Sequence, residues 1–188
     1  MLYIQNNITN DGVGWNESGL RGKQYSGGKI GIEAFQYQMP EQFTIECCQS
    51  FNDASAGLKI LSIRNSFNDM IFQVNTNAGK IQLQNGLKTI TGSYTFENNK
   101  LYHIAITYDG ANARLLINGS EVIGSQAYAK AGDSTTFYVK PFGISDGANV
   151  EGTVEGLMCY FKIYNRVLND NEIAANYAIE SVNRVMDR

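Results

Sequence analysis

The chain has 188 residues, 43% hydrophobic and 18% charged, with 19 Gly and 2 Pro. That length fits one domain, which buries roughly 70% of its unfolded surface and needs no metal or disulfide to fold. Fifteen Lys and Arg against 18 Asp and Glu leave a net charge of −3. This excludes nucleic-acid or anionic-lipid binding driven by an overall excess of cations. No stretch approaches the ~18 to 20 apolar residues of a membrane span, so membrane insertion is not expected. Residues 1–7 carry neither a basic region nor an apolar core, so no secretion signal is visible.

In chain order, residues 1–22 are polar and Gly-rich and read as an N-terminal arm or irregular edge. A body over residues 23–168 follows. Lys29-Ile30-Gly31-Ile32 and Phe43-Thr44-Ile45-Glu46-Cys47 alternate apolar and polar residues. A strand is read over 60–63. Lys80-Ile81-Gln82-Leu83-Gln84 and Tyr102-His103-Ile104-Ala105-Ile106-Thr107-Tyr108 alternate again, and in Arg114-Leu115-Leu116-Ile117-Asn118 the residues Leu115 and Ile117 share a face. Period two marks strands with one face on a core and one facing outward. Asn77-Ala78-Gly79, Asn85-Gly86, Asp109-Gly110, Asn118-Gly119 and Asp146-Gly147 supply turns that tolerate positive φ. Many short strands so punctuated predict an all-β, antiparallel two-sheet sandwich of the jelly-roll kind.

One helix closes the chain, over 169–188 with its tail. Asn169 predicts the N-cap and Glu172 its capping-box partner, while Leu168 and Ile173 take the hydrophobic-staple positions. Ile173, Tyr177 and Val182 then share a stripe against the sandwich.

Three cysteines, Cys47, Cys48 and Cys159, are read as reduced. The first two are strand neighbours on opposite faces, so at most one could meet Cys159. His103, the sole histidine, sits mid-strand and reads as a packed structural residue and not as a general base. There is no CxxC pair, P-loop or GxGxxG opening a helix.

Several of these stretches together resemble the laminin-G-like, concanavalin A-like jelly rolls. Phe43-Thr44-Ile45-Glu46-Cys47-Cys48 is similar to the family's FTIEAW strand. Residues 102–110 followed by 114–119 resemble its WHHVAVTYDG…RLYVNG hairpin. Val154-x-Gly156-x-Met158 and then Phe161-Lys162-Ile163-Tyr164-Asn165-Arg166-Val167-Leu168 resemble FxGxIDEVRIYNRALS. Glu172-Ile173-Ala174-Ala175-Asn176-Tyr177 matches the terminal EEIxxNY, so the likeness runs from about residue 24 to 177.

The resemblance implies two facing sheets with ligand sites on one face or on rim loops. It also implies candidate chemistries. Glycoside hydrolases of this fold use an ExDxxE run on one strand, which is absent here. Glu151 and Glu155 lie among Gly152 and Gly156 and read as rim charges, so the chain is read as non-catalytic. Relatives often hold Ca²⁺ on the rim. Asp146, Asn149 and Glu151 are the candidate ligands, with Asn52-Asp53 and Asn68-Asp69 as other oxygen-rich turns. Against calcium, Cys159-Tyr160 stands where the family motif carries Asp-Glu.

Sugar binding asks for exposed rings, amides and carboxylates. The candidates are Trp15 in a polar segment, Arg64, Asn65, Asn68 and Asp69 in an expected rim loop, and Tyr94 and Tyr128 outside the clearest strands. The tail IYNRVLNDNEIAANYAIE is similar to copies in bacteriophage structural proteins. The expectation is therefore a recognition or decoration domain of a phage particle, made in the host cytoplasm and released by lysis. It would bind bacterial-surface or mucus glycans and contact other virion proteins or further copies of itself. The alternatives are a purely structural virion protein, and a carbohydrate-binding module of a larger secreted enzyme.

Overall fold

The computed structural model describes residues 2–3, 14–16, 19–22, 35–38, 40–55, 57–65, 70–78, 80–84, 88–128, 136–141, 144–145, 150–151 and 156–186. The strands begin with β1 (Leu2–Tyr3), β2 (Gly14–Asn16), β3 (Gly19–Gly22), β4 (Phe35–Gln38), β5 (Phe43–Phe51) and β6 (Lys59–Asn65). Next come β7 (Met70–Asn77), β8 (Lys80–Gln84), β9 (Thr89–Gly92), β10 (Leu101–Tyr108), β11 (Asn112–Ile117) and β12 (Ser120–Ala127). The last are β13 (Thr136–Pro141), β14 (Ile144–Ser145), β15 (Val150–Glu151) and β16 (Gly156–Tyr164), followed by helix α1 (Asp170–Met186).

All pairings are antiparallel, in two main sheets. The first runs β12-β11-β10-β5-β16-β3-β2, with β1 also on β16, and the second runs β4-β13-β6-β7-β8-β9. The small β14–β15 pair stands apart. This is the expected all-β jelly-roll sandwich. Residues 2–3, 14–16 and 19–22, within the segment read as an arm or irregular edge, are strands of the first sheet. The strand expected at residues 29–32 and the turns at Asn85-Gly86 and Asp146-Gly147 lie outside the described residues.

The core forms where the apolar faces meet. Phe43, Ile45, Cys47, Phe51, Ile104, Ile106, Leu115, Ile117, Phe161 and Ile163 of the first sheet pack on Ile60, Ile63, Phe72, Val74, Ile81 and Leu83 of the second. The β10–β11 hairpin has the register its alternation demands, with Ile104 opposite Ile117 and Ile106 opposite Leu115. Its turn is set by Asp109, whose Oδ1 accepts the Ala111 and Asn112 amides at 2.9 and 2.6 Å, with Gly110 at φ 98°. Gln49 reaches between the layers, its amide donating to Ile60 O at 3.3 Å.

The outer face of the first sheet departs from the expected alternation. All nine residues of β5 are buried, including Thr44, Glu46 and Cys48. Helix α1 is the cause, because Leu168 and Ile173 pack on Ala105, Leu116 and Tyr164 and roof that face. The capping box forms as predicted: the Glu172 amide donates to Asn169 Oδ1 at 3.0 Å and the Asn169 amide to Glu172 Oε2 at 2.9 Å. Thr44 anchors the lead-in, accepting the Leu168 amide at 2.9 Å and donating to Arg166 O at 3.0 Å. The helix continues to Met186. The Val182 side chain expected on its inner stripe lies outside the description.

Candidate functional site

The outer face of the second sheet carries a row of amides. In β7, Phe72 and Val74 turn into the core, so alternation sends Gln73 and Asn75 outward. Ile81 and Leu83 do the same for Gln82 and Gln84 in β8. The register places Gln73 opposite Gln84 and Asn75 opposite Gln82. Their side chains join into one network. Gln73 Nε2 donates to Gln84 Oε1 at 3.3 Å, Gln84 Nε2 to Gln82 Oε1 at 3.0 Å, and Asn75 Nδ2 to the same Gln82 oxygen at 3.2 Å.

Gln73 and Asn75 are buried, while Gln82 and Gln84 are half-buried and form the outer row. Three buried acceptors here have no hydrogen-bond partner: Gln73 Oε1, Asn75 Oδ1 and Ser62 Oγ, the last opposite Gln73 in the β6–β7 ladder. Buried polar atoms are paired in the great majority of cases. These three are closed to solvent, so the accessible edge of the row is Gln82 and Gln84. Each amide can both donate and accept, which suits vicinal hydroxyls. The ladder continues with Lys59 opposite Asn75, Lys140 opposite Ser62, Arg64 opposite Tyr138 and the exposed Lys80 opposite Asn77.

A second polar cluster lies under α1. Glu46 and His103 are fully buried, with Oε1 and Nε2 3.3 Å apart, a close approach without hydrogen-bond geometry. Glu46 Oε2 accepts Asn176 Nδ2 at 2.9 Å, and the His103 ring lies 5.9 Å from that of Tyr177. The helix covers this acid and base from solvent. Cys47, in the core, is equally closed: burial pushes its thiol up to about 12, offset in part by the Gln49 hydrogen bond. Among the described residues, no group of three or more His, Cys, Asp or Glu is placed to hold a metal ion.

The sequence-predicted site residues that the structure describes fall on different strands and loops. Trp15 lies in β2, paired with Leu20 of β3. Arg64 and Asn65 continue β6 and pair with Tyr138 and Phe137 of β13, so they are not in the expected rim loop. Asn68, Asp69, Asp146 and Asn149 lie outside the described residues, and Glu151 pairs with Ile144.

Tyr94 is half-buried against Phe96 and Tyr102, at ring separations of 5.0 and 5.9 Å, and that burial raises its pKa. Tyr128 requires correction as a ligand candidate. It is 0% exposed and stacked 4.5 Å from Phe72, so its ring is core and offers no surface to a sugar. Gln73, Asn75, Gln82 and Gln84 went unremarked as site residues. Their signal is in the chain: two amides at period two on each side of the Asn77-Ala78-Gly79 turn.

Solved structures share the fold. Trypanosoma rangeli sialidase superposes with a TM-score of 0.56 at 16% identity, over 72% of this chain and 22% of that one, so this chain spans about a fifth of its length. The CBM40 module of Ruminococcus gnavus IT-sialidase, bound to α2,3-sialyllactose, gives 0.62 at 22% identity over 74% and 84%. The receptor binding domain of botulinum neurotoxin type G gives 0.62 at 19% over 93% and 46%. No match was found among curated proteins. Residues 27–174 match the Laminin_G_3 family, and this chain, with its two antiparallel sheets and capped closing helix, belongs to that family of the concanavalin A-like lectin/glucanases superfamily.

Proposed function

We propose that this chain is a non-catalytic glycan-recognition domain of a bacteriophage particle, binding sugars across the outer face of its second sheet. The observation that carries the sugar-binding part is the outer amide row of Gln82 and Gln84, half-buried and held in place by hydrogen bonds to the buried Gln73 and Asn75. Hydroxyls pair there with the half-buried amides of Gln82 and Gln84, each of which both donates and accepts. The non-catalytic reading is supported by the sealing of Glu46 and His103 beneath α1, since a general acid or base must reach the proton it moves. The CBM40 module, bound to α2,3-sialyllactose, fits the same reading.

The particle setting rests on the phage-like segment IYNRVLNDNEIAANYAIE. In that setting the chain is made in the host cytoplasm, reaches the exterior on lysis, and attaches to other virion proteins. Each site is shallow and gains strength from many copies on one particle. A glycan array probed with multimerised protein, with calcium and with chelator, tests the reading. Gln82→Ala with Gln84→Ala should weaken retention about tenfold through two lost hydrogen bonds and also lower the melting temperature, because the buried Gln73 and Asn75 amides lose their acceptors. Retention of the wild type on no glycan refutes it. The chain's presence on purified particles, read by mass spectrometry, tests the setting.

A further inference from the structure

Two of the three cysteines meet across the middle of the first sheet. Cys47 turns into the core, so alternation sends Cys48 to the outer face. Beside it, β16 carries a bulge. Met158 stands opposite Gln49 and Tyr160 opposite Cys48, which leaves Cys159 as the additional residue between them. All three cysteines are thiols in this structure.

Backbone direction decides which residue of β5 the bulge faces. The Asn118 amide donates to His103 O at 2.8 Å, so His103 aims its backbone at β11, and its neighbours Tyr102 and Ile104 aim theirs at β5. Their partners Gln49 and Cys47 point back at β10, and Cys48 therefore points at β16. Cys159 and Tyr160 are thus the two residues that oppose Cys48. Tyr160 faces outward, with its ring 6.3 Å from that of His103. Cys159 is half-buried and is not among the side chains packed between the sheets, so it shares the outer side with Cys48. Opposed residues of an antiparallel pair have Cα atoms about 4.5–5.5 Å apart, within the ~4.4–6.8 Å that a disulfide spans.

We propose that Cys48 and Cys159 are a redox pair, which a low-molecular-weight disulfide converts into a cross-strand bond fastening β5 to β16. Cys159 reacts first, because it is half-buried while Cys48 is closed to solvent. Its thiolate attacks one sulfur of the small disulfide, whose S–S bond breaks and releases one small thiol. Cys48 then attacks Cys159 Sγ in the mixed disulfide and expels the second. Two protein thiols are oxidised, the reagent is reduced to two thiols, and these carry away both protons. Cys47 faces the opposite side and takes no part. The bond joins residues far apart in the chain, the case in which a cross-link restricts the unfolded state most.

The test treats the folded full chain with oxidised glutathione, alkylates the remaining thiols and digests with trypsin without reduction. Mass spectrometry should find residues 30–59 linked to residues 131–162 of the same chain, with fragmentation placing the bond on Cys48. The linked protein should melt about 5 °C or more above the reduced one, and dithiothreitol should reverse the shift. Cys47→Ala should keep the link. Cys48→Ala should stop at glutathione on Cys159, and Cys159→Ala should take up neither glutathione nor a link. Three alkylated thiols in the wild type, glutathione on Cys159 without a link, or a bond through Cys47 or between two chains overturns the proposal. So does a linked form that melts no higher than the reduced one. The wild-type peptide map decides the matter even if a variant misfolds.

Discussion

At Gly92 the edge strand of the second sheet comes against the edge of the first. A Cβ built there would lie 2.7 Å from Val122 O and 2.9 Å from Ile123 Cγ1, and the oxygen is backbone, which cannot swing away. Gly92→Ala should therefore destabilise the fold by about 1–3 kcal/mol through overpacking, read as a lower urea midpoint at unchanged slope. Single residues were also where the sequence was least legible. Tyr128 looked like a loop aromatic because no regular alternation surrounds it, yet it stacks on Phe72 in the core. A tyrosine's fate depends on which layer closes over it, and that is a tertiary fact. Gln73 and Asn75 failed to stand out for the opposite reason. Polar residues at period two on a strand read as an ordinary solvent face, and only the register reveals that four amides meet.

Helix α1 is held at its start by groups close in sequence, which is why its onset could be read in advance. Asn169 and Glu172 form the reciprocal cap, and Arg166 pairs with Glu172 at 2.6 Å. The Arg166 guanidinium and then the Asn169 amide hold the Glu172 carboxyl down to about 2, from an ordinary 4.5. A carboxyl depressed in the folded state contributes stability that is complete above 4.5 and lost as pH falls through about 2. The melting temperature should accordingly drop over that window. Glu172→Gln should show a smaller drop there and a lower melting temperature at neutral pH, with melts followed by circular dichroism. What the sequence did not show at this scale was the helix's role as a lid on Glu46 and His103. Alternation in β5 and β10 announces an outward face, and nothing local says that a helix from beyond residue 169 covers it.

Across the whole molecule, the sandwich and its family were legible because hairpin strands, turn residues and the closing motif are each local and occur in family order. The amide row was not, because it is assembled across β7 and β8 by a register that no local pattern announces. Removing residues 170–188 should uncover Leu168, Ala105 and Leu116 together with the Glu46–His103 pair. The expected result is a loss of about 3–6 kcal/mol from two aliphatic side chains and their contacts, with increased binding of a hydrophobic dye.

Strand β5 lies between β10 and β16, and Thr44 holds the backbone of Leu168, 124 positions later. As the ribosome emits the polypeptide, the middle of the first layer therefore stays half-zipped until β16 has emerged. Long-range closures of this kind are slow and leave bare edges open to aggregation in the interval. Nascent chains stalled before β16 should be clients for chaperones, and the arrival of Gly156–Tyr164 would govern whether what came earlier survives.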